Sequence, residues 1–169
     1  MDAAMKSILW QQFGAAVDML EGALRHCPDK LLSDRSKQPE FWYIVYHTLF
    51  YLDLYLSDAQ EGFAPPSPFT LSEMDPSGAM PDRVYTREEL QTYLDHGRRK
   101  GRAAIAALTD ETARVSRKFG SIEGTFLVRL LYNMRHVQHH AAQLNLILRQ
   151  QIDSAPRWVA KAKIPLDPV

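Results

Sequence analysis

The stretch "RHVQHHAAQLN", residues 135–145, places three of the chain's six histidines, His136, His139 and His140, within five positions. Apolar residues flank it at helical spacing: Phe126, Leu127, Leu130, Leu131, Met134, Val137, Leu144, Ile147 and Leu148. The spacing predicts a helix over about 121–151. On such a helix residues i and i+4 differ by about 40° around the axis, so His136 and His140 share a face. Their imidazoles can converge on one ion, as in the helical H-x-x-x-H pairs of zinc enzymes, or form a solvent-facing pair. His140 falls in line with Phe126, Leu130 and Leu144, which favours a core-facing position. His139 points to a different part of the surface and is left out of the ligand set.

Two ligands do not make a site, and a third must come from another element. Met5, Leu9, Phe13, Ala16, Val17, Leu20 and Leu24 form one apolar stripe over about 4–26, ended by "CPD". Pro39 and Glu40 open a second helix, about 39–58, apolar on nearly all sides and so expected to be buried against more than one neighbour. Residues 59–85 carry Pro65, Pro66, Pro68, Pro76 and Pro81, which exclude a regular helix. A connection this long is unusual in a compact domain and is long enough to form a pocket wall or lid. Thr86 and Glu89 spell a capping box, and Leu90, Tyr93, Leu94, Gly97, Gly101, Ala104, Ile105 and Leu108 continue a third stripe. Gly97 and Gly101 are expected to allow close approach of another backbone. No strand alternation is evident. The fold class expected is all-α: a four-helix bundle with a long proline-rich connection between helices 2 and 3. Residues 1–169 read as a single domain, with an irregular tail over about 152–169 anchored by Trp158.

In the second helix His47 stands alone among Tyr43, Val45, Tyr46, Leu49, Phe50 and Tyr51. A neutral histidine there must find hydrogen-bond partners or accept the cost of burial, and coordination would satisfy one nitrogen. A buried histidine bonded to a tyrosine or a carbonyl is the alternative. His47, His136 and His140 are therefore the candidate metal ligands, and no catalytic residue is assigned. His26 and His96 read as surface residues, and "GRRKGR" (97–102) as a solvated cationic face.

Composition narrows the classes. Lys+Arg and Asp+Glu are both 20, so the basic footprint of a nucleic-acid binder is missing. The most apolar run, 41–56, is broken by His47, Thr48 and Asp53 and is shorter than the roughly 20 residues a membrane helix needs. The start, "MDAAMKSILWQQF", lacks the cationic region and unbroken apolar run expected of a signal peptide. Cys27 is the sole cysteine, which fits a reducing cytoplasmic setting and reads as a plain loop thiol.

Three pieces together resemble the DinB-like superfamily of bacterial four-helix-bundle metalloproteins. "VYHTLFYLDLYL" is similar to its second helix with a single histidine, "REELQTYLDHGRRK" to its third, and "RHVQHHAAQLNLILRQ" to its last, where H-x-x-x-H-x-x-Q-L is typical. The resemblance covers about 1–150. It implies metal ligands at His47, His136 and His140, an up-down-down-up bundle with a long crossover, frequent homodimers, and zinc, nickel or another divalent ion. It also implies kinship with transferases and isomerases that use low-molecular-weight thiols such as bacillithiol and mycothiol. The chain is expected to be a cytoplasmic homodimer. Its leading function is a metal-dependent thiol S-transferase acting on an electrophilic small molecule. The alternatives are a non-catalytic metal-binding stress-response protein and a metal-dependent hydrolase. The chain shows no obvious general base, which counts against hydrolysis.

Overall fold

Four long helices carry the chain, three of them starting on a side chain that caps the first turn. The computed structural model describes residues 1–119 and 122–166. Helix α1 (Ala3–His26) starts on Asp2, whose carboxylate accepts from Met5 N at 2.8 Å. A short α2 (Asp29–Leu32) leads to α3 (Phe41–Tyr55), and a 20-residue α4 (Arg87–Ala106) follows the proline-rich connection. Thr86 and Glu89 form the capping box the sequence spells. A single turn, α5 (Asp110–Arg114), precedes strands β1 (Ser116–Phe119) and β2 (Ile122–Thr125), which pair antiparallel with Ser116 opposite Thr125. The last helix, α6 (Phe126–Ile152), starts on Thr125, whose hydroxyl accepts from Val128 N. The all-α class holds, with one correction: the hairpin occupies the segment where the periodicity places the start of the last helix. Strands of four residues are too short to show an alternation, and the last helix starts at its observed cap, Thr125.

Helix α1 packs on α4 and α6, and α3 packs on the same two, giving a four-cornered bundle. Contacts at the helix ends fix the directions. Arg87, at the start of α4, donates to the carbonyls of Leu24 and Cys27 at the end of α1. Lys6, at the start of α1, donates to Ala106 O at the end of α4. Lys100 meets Asp53 and Ser57 where Tyr93 meets Asp53, so α3 and α4 run the same way. His26 and Ser154 meet where α1 and α6 both finish. The order is therefore up, down, down, up, with the 59–85 connection crossing over between the two parallel helices α3 and α4. Among the described residues, no helix is long and apolar enough to cross a membrane.

Eleven of the fifteen α3 residues are buried, covered by α4, α6 and the crossover. The two α4 glycines do permit close packing, but against side chains rather than backbone. A Cβ on Gly97 would stand 2.7 Å from Leu52 Cδ2, and one on Gly101 would stand 2.9 Å from Phe13 Cε1. The cationic run beside them is a solvated face only at Arg99. Arg98 pairs with the buried Asp18 and Glu21, and Lys100 reaches the buried Asp53 at 2.5 Å. His96 likewise leans on Asp53, at 3.3 Å, so it is not a free surface residue. The tail follows α1 without Trp158 as its anchor, since that ring is 70% exposed. Trp10 Nε1 donates to Ile164 O, Ala162 N to Gln11 O, and Lys163 N to Asp18. An aromatic residue already buried in the bundle holds the tail by its polar edge.

Candidate metal centre

Asn133 sets the register on which the site depends. It is fully buried on α6 and donates to Leu52 O of α3 at 3.0 Å. Because the two helices are antiparallel, stepping one turn forward on α6 and a little more than one turn back on α3 brings His136 and His47 opposite one another. Their Nε2 atoms are 3.3 Å apart. His140, one turn beyond His136, closes the triangle, with ring centroids 4.8 Å from His47 and 4.5 Å from His136. One nitrogen from each ring lies within 4.8 Å of the other two. The structure therefore brings together the three histidines singled out in the sequence, and leaves His139 exposed and outside the triangle.

The geometry fits a divalent ion. Two nitrogens each about 2.0–2.1 Å from a tetrahedral centre lie about 3.3 Å apart, which is the His47–His136 separation. His136 Nδ1 is buried without a hydrogen-bond partner, so neither nitrogen of this ring is served by an ordinary protein contact except through the triad. Burial, reinforced by the neighbouring His140 and His47, pushes His136 down to about 3. Burial also lowers His140, against an opposing hydrogen bond to Gln143. Both rings are therefore neutral at physiological pH and present lone pairs, as metal ligation requires.

Two of the rings are oriented from outside the triad. His47 Nδ1 lies 2.8 Å from Glu73 Oε2, and His140 Nδ1 lies 2.7 Å from Gln143 Oε1. Each contact fixes the tautomer that leaves Nε2 free to face the centre. Gln143 belongs to the H-x-x-x-H-x-x-Q-L pattern and was legible. Glu73 was not: it lies on a 3-10 turn (Ser72–Met74) inside the proline-rich connection, among other acidic residues that look the same in sequence.

Aromatic rings wall the centre. Tyr51 lies 4.8 Å from His47 and 5.6 Å from His136 between ring centroids, and Tyr55 lies 6.0 Å from His136. Burial pushes the phenols of Tyr43, Tyr51 and Tyr55 above the ordinary tyrosine range, so they remain protonated hydrogen-bond donors. The His47 side chain is 28% exposed, so the centre is reachable from solvent. A crevice of about 520 Å³ between α1, α6 and the tail touches the triad only through His136. Cys27 plays no part here. It is buried at the end of α1, and desolvation pushes its thiol up to about 12.

Comparison with known proteins agrees with this architecture. The family model of the DinB superfamily matches residues 12–144, a span that holds all three histidines and both orienting residues. Curated proteins and solved structures gave no match.

Proposed function

The chain belongs to the DinB superfamily, and on that premise we propose that it binds one divalent metal ion, zinc or nickel, on His47, His136 and His140 and uses it in thiol S-transfer. The observation that carries the proposal is the convergence of three imidazoles at one point in the bundle, with the His47 side chain part-exposed to solvent. When bound, a divalent ion on three uncharged donors keeps a position open and supplies the Lewis acidity that makes a thiol nucleophilic at neutral pH. The protein's own part is to hold that geometry. Glu73 and Gln143 set the tautomers of His47 and His140, burial keeps His136 neutral, and the tyrosine wall limits water and donates hydrogen bonds. In the overall transfer the thiol sulfur forms a bond to an electrophilic carbon, the leaving group departs with its electron pair, and the thiol proton passes to solvent. A low-molecular-weight thiol of the bacillithiol type is the proposed co-substrate.

Cobalt substitution tests this reading, because thiolate ligation gives an intense sulfur-to-metal charge-transfer band that water does not. A small thiol should bring up that band, His140→Ala should lose it, and Cys27→Ser should leave it unchanged. A cobalt spectrum unmoved by millimolar thiol sinks the transferase and leaves a metal binder or a hydrolase.

A homodimer belongs to the same proposal, on a different basis from the apolar second helix, which is covered within the chain. Exposed apolar residues instead lie on α1 (Met5, Ile8) and α6 (Val128, Leu131, Tyr132). Sedimentation at micromolar concentration that finds only the 19.3 kDa species removes it.

A further inference from the structure

Glu73 is the one acidic residue of the 59–85 connection that the fold does not leave exposed. Its side chain is only 5% exposed, with Oε2 on His47 Nδ1, the phenol of Tyr43 beside the carboxylate, and Oε1 buried without a partner at hydrogen-bond distance. Among the described residues no lysine or arginine pairs with it. The turn around it is clamped to α3 by neighbours of His47. Tyr51 OH donates to Glu73 O at 3.3 Å, and Tyr46 OH donates to Thr70 O at 2.8 Å. Phe69, just upstream, stacks on Tyr93 and lies against Tyr85. The crossover thus reaches the candidate centre at one point, through one carboxylate.

As a purely structural latch this contact is poor. A carboxyl group this deeply buried, with one oxygen short of a hydrogen bond and only an imidazole and a phenol beside it, costs more than an apolar side chain would in its place. A cation on the far nitrogen of the same ring reverses that balance. It would polarise the Nδ1–H toward the carboxylate and add positive charge opposite it, as in carboxylate–histidine–metal relays.

We propose that Glu73 is the positioning residue of the centre, and that it makes metal occupancy and closure of the 59–85 connection one coupled equilibrium. This rests on the metal-binding reading above. Metal on His47 strengthens the His47–Glu73 bond and holds the turn against α3. Release of the turn leaves His47 free to rotate and weakens the metal to the same extent, because the coupling is reciprocal. The connection is then a strap that closes over a loaded centre and loosens from an empty one.

The experiment uses the full chain stripped of metal, as the parent, Glu73→Gln and Glu73→Ala. Zinc affinity is measured by competition with a chromophoric chelator. Amide hydrogen exchange across residues 66–76 is followed with and without saturating zinc. The parent should bind one zinc and slow its exchange in that segment. Glu73→Ala should bind zinc roughly 10- to 100-fold more weakly and show no zinc-dependent slowing even at saturation. Glu73→Gln still offers a carbonyl oxygen to Nδ1–H, so it should fall between the two in affinity and keep the slowing. Glu73→Ala with the affinity and exchange response of the parent overturns the proposal. Zinc that binds the parent without slowing exchange overturns the coupling, and this holds even if Glu73→Ala fails to fold. A parent that takes up no zinc overturns the metal reading together with this one.

Discussion

His47 Nε2 faces His136 Nε2 at 3.3 Å, across the interface between the second and fourth long helices and 89 positions apart in the chain. Neither nitrogen has a backbone partner in this arrangement, and the buried Nδ1 of His136 has no partner at all. Two imidazole nitrogens facing at this distance are held together only when a proton or a cation stands between them. The expected outcome is that alanine at His47, His136 or His140 abolishes stoichiometric metal in elemental analysis of purified protein, while His139→Ala retains it. If His47→Ala binds metal as well as the parent, the site does not bridge α3 and α6.

Cys27 should be chemically silent in the native protein. Desolvation dominates its surroundings and raises its pKa to about 12, with the nearby Arg87 only partly opposing it. A raised thiol pKa keeps the group protonated, so at pH 8 the thiolate fraction is about three orders of magnitude below that of a free cysteine. Reaction with an aromatic disulfide at pH 8 should be slower by about that factor, and should rise about tenfold per pH unit while the fold persists. Rapid labelling under native conditions would mean that the end of α1 opens readily.

The difference between what the sequence disclosed and what it hid follows the range of the interactions. Helices α1, α4 and α6 are set by local rules, a 3.6-residue stripe and the Thr86–Glu89 box, and α3 by its near-continuous apolar run. These leave marks within a few residues of one another. His47, His136 and His140 were legible because each breaks an apolar pattern at a core-facing position. Glu73 was hidden because its partner lies on another element and its own segment has no period from which to read a facing direction. The inward turn of Arg98 and Lys100 is hidden for the same reason. Their partners Asp18, Glu21 and Asp53 sit inside the stripes of other helices, and only the packed bundle shows that the cations are turned inward.

Gly97→Ala should destabilise the protein although alanine is the better helix former. The propensity gain is about 1 kcal/mol, but the new methyl would stand 2.7 Å from the fully buried Leu52 Cδ2. Overpacking a filled core costs about 1–3 kcal/mol, so the net loss should be about 1 kcal/mol, read as a lower urea midpoint with an unchanged slope. Pairing it with Leu52→Val should recover part of that loss. A stabilised Gly97→Ala would show that α3 and α4 can move apart at this crossing without penalty.

Asp53 supplies the strongest polar tie between α3 and α4, and its removal should be asymmetric. The carboxylate is 2% exposed, accepts from Lys100 Nζ at 2.5 Å and Tyr93 OH at 3.3 Å, and has His96 at 3.3 Å. Lys100 is held a second time by Ser57 Oγ at 2.7 Å. Lys100→Met leaves a buried carboxylate without its main counter-charge, a change that costs about 3 kcal/mol where a pair is well buried and somewhat less here because Lys100 is partly exposed. Asp53→Asn with Lys100→Met removes both charges, keeps an acceptor for Tyr93, and should be less damaging than Lys100→Met alone. A double-mutant cycle in urea should therefore return a coupling of about 1–3 kcal/mol. A coupling below about 0.5 kcal/mol would mean that apolar packing alone holds the two helices together here, as it does for many surface pairs.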